Sequence, residues 1–262
     1  MPAANYNATV LANGAAGENV MLLTARWDET TPAPACGQFY MLRAWKAEEA
    51  PLLSRPISVH RFDREKKEIS FLYEVRGTGT QKLAALRPGD TVALTGPSGR
   101  GFPVDGTLGG SVALVGGGIG VPPMLGCVRE AVKQGAKPAA ILGFRNKGAV
   151  ILEGDFRDEC ETFVTTDDGS YARHGFVTDV LKEQIASASG VAACGPKPML
   201  KAIAAIAKQA GVPCQVSMEE RMGCGIGACL VCACALKAKD GETRYGHVCK
   251  DGPVFNAEEV EW

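Results

Sequence analysis

The cysteines constrain this chain more than any other residue type, because six of the ten lie in the last fifth of its 262 residues. These six are Cys214, Cys224, Cys229, Cys232, Cys234 and Cys249. A disulfide framework would be spread through a short secreted chain, and the first residues lack the basic start and apolar run of a secretory signal. The clustering therefore predicts a metal or redox centre in a protein of the reducing cytoplasm.

Four of these cysteines follow the spacing C-x4-C-x2-C-x16-C, at positions 224, 229, 232 and 249. A C-x4-C-x2-C run with a distant fourth cysteine is typical of plant-type [2Fe–2S] proteins. Glycines at 223, 225 and 227 permit a tight loop and bring backbone N–H groups close to the sulfurs. The spacing predicts that Cys224, Cys229, Cys232 and Cys249 bind a [2Fe–2S] cluster.

Two alternatives to this ligand set stay open. A structural zinc site also uses four cysteines, and the chain would then be a zinc-stabilised interaction module without redox turnover. Zinc ribbons favour two C-x2-C pairs, however, and only one such step occurs here. Cys234 could also replace Cys232, but the x2 spacing fits the pattern better, so we predict that Cys234 and Cys214 are packed thiols.

Composition excludes several classes of protein. Hydrophobic residues make up 46% of the chain and charged residues 22%, which predicts a folded core rather than disorder. The formal net charge of -1 argues against a nucleic-acid-binding face. No apolar run approaches the roughly 18 residues of a membrane helix. We therefore expect neither nucleic acid nor membrane as a partner.

The first hundred residues contain six apolar, β-favouring runs separated by turn sequences. The runs cover 5–11, 20–26, 38–44, 56–62, 69–75 and 91–95. Strands at this spacing predict an antiparallel β-barrel or sandwich, which we assign to a domain over 1–105 with one short helix at 81–86.

The pattern changes to alternating strands and helices near residue 106. Strands are predicted at 111–115, 139–143, 162–165 and 191–194, and helices at 122–134, 151–159, 177–186 and 197–209. This alternation is typical of a doubly wound parallel sheet, an α/β nucleotide-binding domain over 106–211. From 212 to 262 the pattern is lost, and a small third domain around the cysteines is predicted.

Two loops of this domain follow predicted strands and open helices, where a parallel sheet binds phosphate. The first loop contributes Gly116, Gly117, Gly118 and Gly120. The second contributes Cys194, Gly195 and Pro196. The simpler alternative for the glycine loop is a tight strand-to-helix turn, and Cys194 could be only a buried thiol.

The barrel segment carries two motifs of its own. Arg55 begins the run Arg-Pro-Ile-Ser and offers a fork of donors that can bind phosphate or stabilise an anionic ring. Gly79 and Thr80 stand at the start of the short predicted helix, where N–H groups and a hydroxyl can hold a phosphate. The alternatives are a surface arginine and an N-capping threonine.

The order of these parts resembles the ferredoxin-reductase superfamily and, more closely, the electron-transfer subunits of the NAD-dependent class of dihydroorotate dehydrogenase. The matching segments span nearly the whole chain: SRPIS (54–58), LYE (72–74), GTGT (77–80), GGGIGVPPM (116–124), TTDDGSYARHGFVTD (165–179), CGPKPML (194–200), EERMGCGIGACLVC (219–232) and VCKDGPVF (248–255).

The resemblance implies three redox groups with assigned residues. FAD would be held by Arg55, Pro56, Ile57, Ser58, Leu72, Tyr73, Glu74, Gly79 and Thr80. NAD would bind at Gly116, Gly117, Gly118, Gly120, Cys194, Gly195 and Pro196. The [2Fe–2S] cluster would be bound by Cys224, Cys229, Cys232 and Cys249. Glu74 is a departure, because we expect arginine there in many relatives.

The resemblance also implies an oxidoreductase subunit of pyrimidine biosynthesis. An FMN-containing catalytic partner, in a heterotetramer with two copies of each subunit, would oxidise dihydroorotate. Electrons would pass singly to the [2Fe–2S] centre, and FAD would collect two for NAD. No acid–base pair for a pyrimidine is evident, and His60, His174 and His247 look incidental. We therefore predict no catalytic residue in this chain.

Two functional alternatives stay open within the same enzyme class. A related flavin and iron–sulfur subunit could work with ferredoxin, hydrogenase or sulfur-reducing partners. NADP could replace NAD, since Arg145 and Lys147 follow a predicted strand and could contact a 2′-phosphate or simply face solvent. The choice of NAD comes from the resemblance alone.

Overall fold

The computed structural model describes residues 4–103, 110–238 and 241–262. The predicted domain boundary between 105 and 106 lies outside these ranges. Within them, no helix is long and apolar enough to cross a membrane.

Six antiparallel strands close into a barrel, in the order β1-β2-β5-β4-β3-β6. They are β1 (Ala4–Gly17), β2 (Val20–Arg26), β3 (Phe39–Arg43), β4 (Arg55–Asp63), β5 (Glu68–Glu74) and β6 (Thr91–Ser98). Apolar side chains alternate inward along the strands, as Ala8 and Val10 do in β1. The predicted barrel is confirmed, and β1 joins two neighbours in it: residues 4–9 pair with β6 and residues 10–17 pair with β2.

One short helix, α1 (Thr78–Ala84), follows β5 and starts three residues before the predicted 81–86. The Thr80 hydroxyl accepts hydrogen bonds from the backbone N–H groups of Arg76 and Gly77, at 3.0 and 3.2 Å. These bonds satisfy donors at the start of the helix, so the helix begins within the Gly-Thr-Gly-Thr segment.

A seven-stranded sheet forms the second layer, in the order β10-β9-β8-β7-β11-β12-β15. The strands after the barrel are β7 (Val112–Gly117), β8 (Ala139–Phe144), β9 (Glu161–Thr166), β10 (Arg173–His174), β11 (Gly190–Cys194), β12 (Cys214–Ser217), β13 (Ala233–Lys237), β14 (Thr243–His247) and β15 (Val254–Asn256). All pairs in the sheet are parallel except β12 with β15. This is the predicted doubly wound arrangement with one added antiparallel edge.

Four helices accompany the sheet: α2 (Val121–Lys133), α3 (Glu153–Arg157), α4 (Val177–Gln184) and α5 (Lys197–Ala210). Helix α3 is shorter than the predicted 151–159. Leu152, immediately before it, has a left-handed backbone with φ of 61°, which no α-helix can include. The helix therefore starts only at Glu153.

Residues 212–262 contain four strands that the sequence pattern did not reveal. Strands β12 and β15 extend the parallel sheet, while β13 and β14 form a separate hairpin. Each has three to five residues, too few for a periodic pattern to stand out. As a result, main-chain hydrogen bonds join the cysteine-rich segment to the seven-stranded sheet.

Candidate functional site

A cavity of about 420 Å³ lies where the barrel meets the start of α2. Its size is within the range of about 300–1,000 Å³ typical of small-molecule sites. It is lined by Arg55, Pro56, Ile57, Ser58, Leu72, Tyr73, Glu74, Arg76, Gly77, Thr78, Thr80, Ile119, Pro123 and Glu219. Every predicted FAD-binding residue except Gly79 is among them, so the structure brings that set together.

Arg55 is held in one orientation by its surroundings. Its guanidinium donates to the carbonyl oxygens of Leu53 and Ser54, at 2.6 and 3.3 Å, and lies 5.8 Å from the centre of the Trp45 ring. A Cβ atom at Gly79 would stand 2.5 Å from Arg55 Nε. Gly79 therefore does not line the cavity but makes room for the arginine that does.

A second arginine in the cavity was missed by the sequence analysis. Arg76 Nη2 donates to Glu74 Oε2 at 2.5 Å, and this bond raises the pKa of the guanidinium. This ion pair neutralises the charge of Glu74, which stands at the position where we expected arginine in many relatives. Arg76 directly precedes the Gly-Thr-Gly-Thr segment, and this proximity could have identified it.

The two predicted NAD-binding loops meet at the carboxyl ends of β7 and β11, where Cys194 pairs with Gly116. A Cβ at Gly120 would overlap the Cys194 carbonyl, and one at Gly117 would stand 3.2 Å from Pro196 Cδ. Only glycine lets the loops approach so closely. The edge they form is where open parallel sheets bind ligands.

Cys194 lies on this edge as a buried, neutral thiol. Burial raises its pKa to about 12, nearby Glu219 acts in the same direction, and a hydrogen bond to Ser217 partly offsets both. A thiol in this state is a poor nucleophile.

The two residues considered for cofactor choice remain exposed after β8. Lys147 Nζ lies 5.7 Å from the centre of the Tyr171 ring, and its backbone N–H donates to Ser170 at 2.8 Å. Arg145 is exposed at the end of the strand.

Three of the four predicted cluster ligands, Cys224, Cys229 and Cys232, lie in the loop between β12 and β13, and Cys249 follows β14. The Cys229 N–H donates to Cys224 Sγ and the Cys249 N–H donates to Cys232 Sγ, which brings each of these two pairs of residues close together. Cys232 and Cys249 are buried, whereas Cys229 is exposed.

Backbone N–H groups point at these sulfurs. Ala228, Ile226 and Cys229 donate to Cys224 Sγ at 3.3 to 3.4 Å. Gly227 donates to Cys249 Sγ at 3.1 Å, and Cys249 itself donates to Cys232 Sγ at 3.5 Å. Donors aimed at sulfur stabilise negative charge, so this loop suits thiolates.

The pKa of the Cys224 thiol is lowered, whereas the pKa of the Cys249 thiol is raised. Burial raises the pKa of Cys224, but the N–H donors of the loop and the Cys229 thiol outweigh it and lower the value to about 6. For Cys249, burial and the adjacent Cys232 thiol raise the pKa. Cys234 is buried in β13 and Cys214 in β12, as expected of packed thiols.

The loop between β12 and β13, residues 218–232, is called the cluster loop because it carries three of the predicted cluster ligands. It contacts the barrel beside the cavity. Gly225 has a left-handed φ of 70°, and a Cβ there would overlap the Met41 side chain. Met41 in β3 pairs with Pro56 in β4, one of the cavity-lining residues. The loop that carries the thiols therefore contacts β3, and β3 pairs with β4, a strand that lines the cavity.

A larger cavity of about 840 Å³ lies between β4 and α2 and holds none of the predicted site residues. His60 lines it and is buried, with Nδ1 3.0 Å from the Pro122 carbonyl oxygen. Burial lowers the pKa of His60. His174 lies in β10 and His247 ends β14, so none of the three histidines lines the 420 Å³ cavity.

Comparison with known proteins agrees with this geometry. Residues 219–261 match the family model described as the iron–sulfur cluster binding domain of dihydroorotate dehydrogenase B. A dihydroorotate dehydrogenase B (NAD(+)) electron transfer subunit of Geobacillus sp. (strain WCH70) is 43% identical over 255 residues, covering 96% of both chains. The same subunit of Caldanaerobacter subterraneus subsp. tengcongensis is 43% identical over 97% of both chains.

Solved structures share this fold over most of the chain. A chain of NADH-dependent reduced ferredoxin-NADP oxidoreductase aligns with a TM-score of 0.85 and 27% identity, over 97% of this chain and 90% of that one. A ferredoxin NADP+ reductase from Neisseria gonorrhoeae shares the fold at a TM-score of 0.67 and 15% identity, over 79% of this chain and 92% of that one. With relatives above 40% identity along nearly its full length, the chain belongs to the family of dihydroorotate dehydrogenase B (NAD(+)) electron transfer subunits.

Proposed function

We propose that this chain carries electrons between a dihydroorotate-oxidising partner subunit and NAD. The observation that carries the proposal is the contact between the cluster loop and the barrel at Gly225 and Met41, next to the 420 Å³ cavity. A one-electron centre and a flavin placed on either side of that contact are close neighbours. The reducing cytoplasm suits a chain whose ten cysteines are all free thiols.

The four thiols fit a [2Fe–2S] cluster as two pairs. Each iron of such a cluster takes two protein ligands, and backbone N–H groups link Cys229 to Cys224 Sγ and Cys249 to Cys232 Sγ, which supports this division. We assign one pair to each iron. The N–H groups of residues 226–229 would then set the charge balance around the sulfurs.

FAD fits the cavity that the barrel presents. The bound flavin supplies the exchange between one-electron and two-electron transfer. Arg55 would place positive charge beside its ring system, and Leu72 and Tyr73 would pack against it. Thr80 uses its hydroxyl to cap α1, so the backbone of this turn is the part left to face a pyrophosphate.

NAD fits the edge formed by Gly116–Gly120 and Cys194–Pro196. The N–H groups of the glycine loop before α2 would face its phosphates, because Pro122 and Pro123 in the first turn of the helix carry no N–H. Ile119 and Pro123 from this edge also line the flavin cavity. The nicotinamide and flavin sites therefore share a wall.

We place the binding surface for the catalytic subunit on the exposed apolar residues of the cluster loop. Ile226, Leu230 and Val231 are each more than half exposed there. Exposed apolar groups in such a cluster are typical of protein–protein contacts. An FMN-containing catalytic subunit seated on them, in an assembly of two copies of each chain, would bring its electrons to the thiols.

Expression of the chain with and without its catalytic partner tests the proposal. The purified chain should be brown-yellow, with two irons and one FAD, and the complex should couple dihydroorotate oxidation to NAD reduction. A colourless, zinc-containing chain would instead support an interaction module. Iron-free protein isolated without oxygen would contradict the proposal.

One alternative is favoured by a specific observation, the TM-score of 0.85 to a chain of NADH-dependent reduced ferredoxin-NADP oxidoreductase. A related flavin and iron–sulfur subunit with another partner would also give coloured protein. It would not yield dihydroorotate-dependent NADH with the FMN subunit, so the coupled assay separates the two.

A further inference from the structure

The part of the cluster loop that holds its three predicted ligands carries no charge of its own. Residues 224–232 contain only glycine, alanine, cysteine, isoleucine, leucine and valine. The charged residues of the loop, Glu219, Glu220 and Arg221, all precede the first ligand, and Glu220 faces Lys197 at 4.0 Å. A charge beside the middle of this loop therefore has to come from another segment of the chain.

Lys250 is a charged residue that the fold places on this loop. Its aliphatic stem crosses Gly227, because a Cβ atom added at Gly227 would stand 3.0 Å from Lys250 Cδ and 3.3 Å from Lys250 Cβ. Gly227 has a left-handed φ of 82° and no side chain, so it leaves the space that the lysine stem occupies. Lys250 as a whole is exposed, so the ammonium group at the end of the stem stays in water.

Gly227 also connects this lysine to the predicted ligands. The Gly227 N–H donates to Cys249 Sγ at 3.1 Å, and Lys250 directly follows Cys249 in the chain. The Lys250 N–H donates to the His247 carbonyl at 2.9 Å, which holds the turn that carries both residues. The lysine stem and the ligand sulfur therefore contact the same residue of the cluster loop.

The acidic residue next to Lys250 is engaged elsewhere. Asp251 accepts a hydrogen bond from the His247 N–H at 2.8 Å, and its carboxylate lies 3.6 Å from His247 Nδ1. None of the ion pairs within the described ranges includes Lys250. The ammonium group therefore adds positive charge beside the loop that no acidic side chain there cancels.

Electron transfer changes the charge at this place. Each electron that the site takes from the catalytic subunit and later gives to the flavin adds one unit of negative charge among the four sulfurs, and no covalent bond forms or breaks. A cation beside the sulfurs stabilises the reduced state more than the oxidised state. We propose, on the basis of the proposed function, that Lys250 raises the reduction potential of the cluster and so makes this loop a better acceptor for electrons from the partner.

A redox titration of the cofactor-loaded chain tests this, with the cluster followed by electron paramagnetic resonance and the flavin by visible absorption. Lys250→Met removes the charge and keeps an unbranched stem over Gly227. At a fixed potential, the ratio of oxidised to reduced cluster should rise by about threefold to tenfold in this variant, and tenfold corresponds to about 59 mV for one electron. The flavin should respond less, since Lys250 does not line the 420 Å³ cavity.

Lys250→Arg and Lys208→Met are the matched controls. Lys250→Arg keeps the charge and should stay close to the wild type. Lys208 is an exposed lysine in the last turn of α5, which leads to the amino end of β12, whereas the cluster loop leaves the opposite end of that strand. Lys208→Met should therefore leave the cluster potential unchanged, and an equal shift in this variant would contradict the proposal.

Ionic strength gives a second readout that packing alone would not move. Salt screens exposed charges, so the difference in cluster potential between the wild type and Lys250→Met should shrink as salt is added. A difference that is the same at low and high salt would contradict an electrostatic role.

The outcomes distinguish this inference from the proposed function. A wild-type chain isolated without iron would contradict the proposed function itself. If the chain contains iron and the cluster potential is the same in the wild type and Lys250→Met, the role of Lys250 is wrong. A potential lowered equally in Lys250→Met and Lys250→Arg would also overturn it, because the effect would then come from packing over Gly227 and not from charge.

Discussion

Cys229 is the most exposed of the four predicted cluster ligands, so its replacement tests the ligand set with little disturbance of the core. We expect Cys229→Ala to lose its iron and inorganic sulfide but to keep FAD, because the cavity contains no part of residues 224–232. Iron analysis and the flavin absorption band measure the two groups separately. The control is Cys234→Ala, which should retain iron, since Cys234 is buried in the β13 strand. Loss of iron from the control alone would assign Cys234 as the ligand.

Gly79 provides a second test at the scale of one residue. A Cβ there would stand 2.5 Å from Arg55 Nε, so Gly79→Ala should displace the guanidinium from the cavity. Hydrogen bonds to charged groups contribute about 1.5–3 kcal/mol, and flavin affinity should fall by tenfold or more. Gly14→Ala is the control, because Gly14 lies in β1 outside the cavity lining and an added Cβ there would meet nothing within 4 Å. Equal flavin affinity in both variants would contradict the role of Gly79.

At the scale of elements, iron binding by the cluster loop should depend on the contact of this loop with β3. Gly225→Ala would force an L-residue into the left-handed region, at a cost of about 1–2 kcal/mol, and would also collide with Met41. Gly211→Ala separates the two effects, because Gly211 has nearly the same φ of 69° but no neighbour within 4 Å. Both should unfold at lower temperature by calorimetry, and only Gly225→Ala should lose iron. Full iron content in Gly225→Ala would show that the contact with β3 is dispensable.

At the scale of the whole molecule, the exposed apolar residues of the cluster loop should control binding of the catalytic subunit. Leu230→Glu places a charge on that apolar surface and should weaken binding of the catalytic subunit by tenfold or more, since unpaired charge at an interface core is costly. Flavin and iron spectra of the isolated chain should not change. Val132→Glu on α2, also partly exposed, is the control and should bind normally in sedimentation experiments. Undiminished binding by Leu230→Glu would place the partner elsewhere.

Much of this architecture was predictable because it depends on local pattern. The six barrel strands and the glycine loop before α2 follow from periodicity and turn residues, and the family prediction is confirmed by the relatives. The strands β12 and β15 were missed because each is short and its hydrogen-bond partner is distant in sequence. The start of α1 was misplaced because the Thr80 side chain, not helical periodicity, fixes it.

The sequence by itself determined which chemical groups this protein carries, because cysteine spacing, glycine loops and strand pattern are local properties of the chain. Only the tertiary structure decided how those groups stand to one another. It aimed backbone N–H groups at the sulfurs of Cys224 and Cys249, placed Gly225 against Met41 beside the cavity, and placed Glu219 among the cavity-lining residues. These relations depend on contacts between residues far apart in the sequence, which no local pattern encodes.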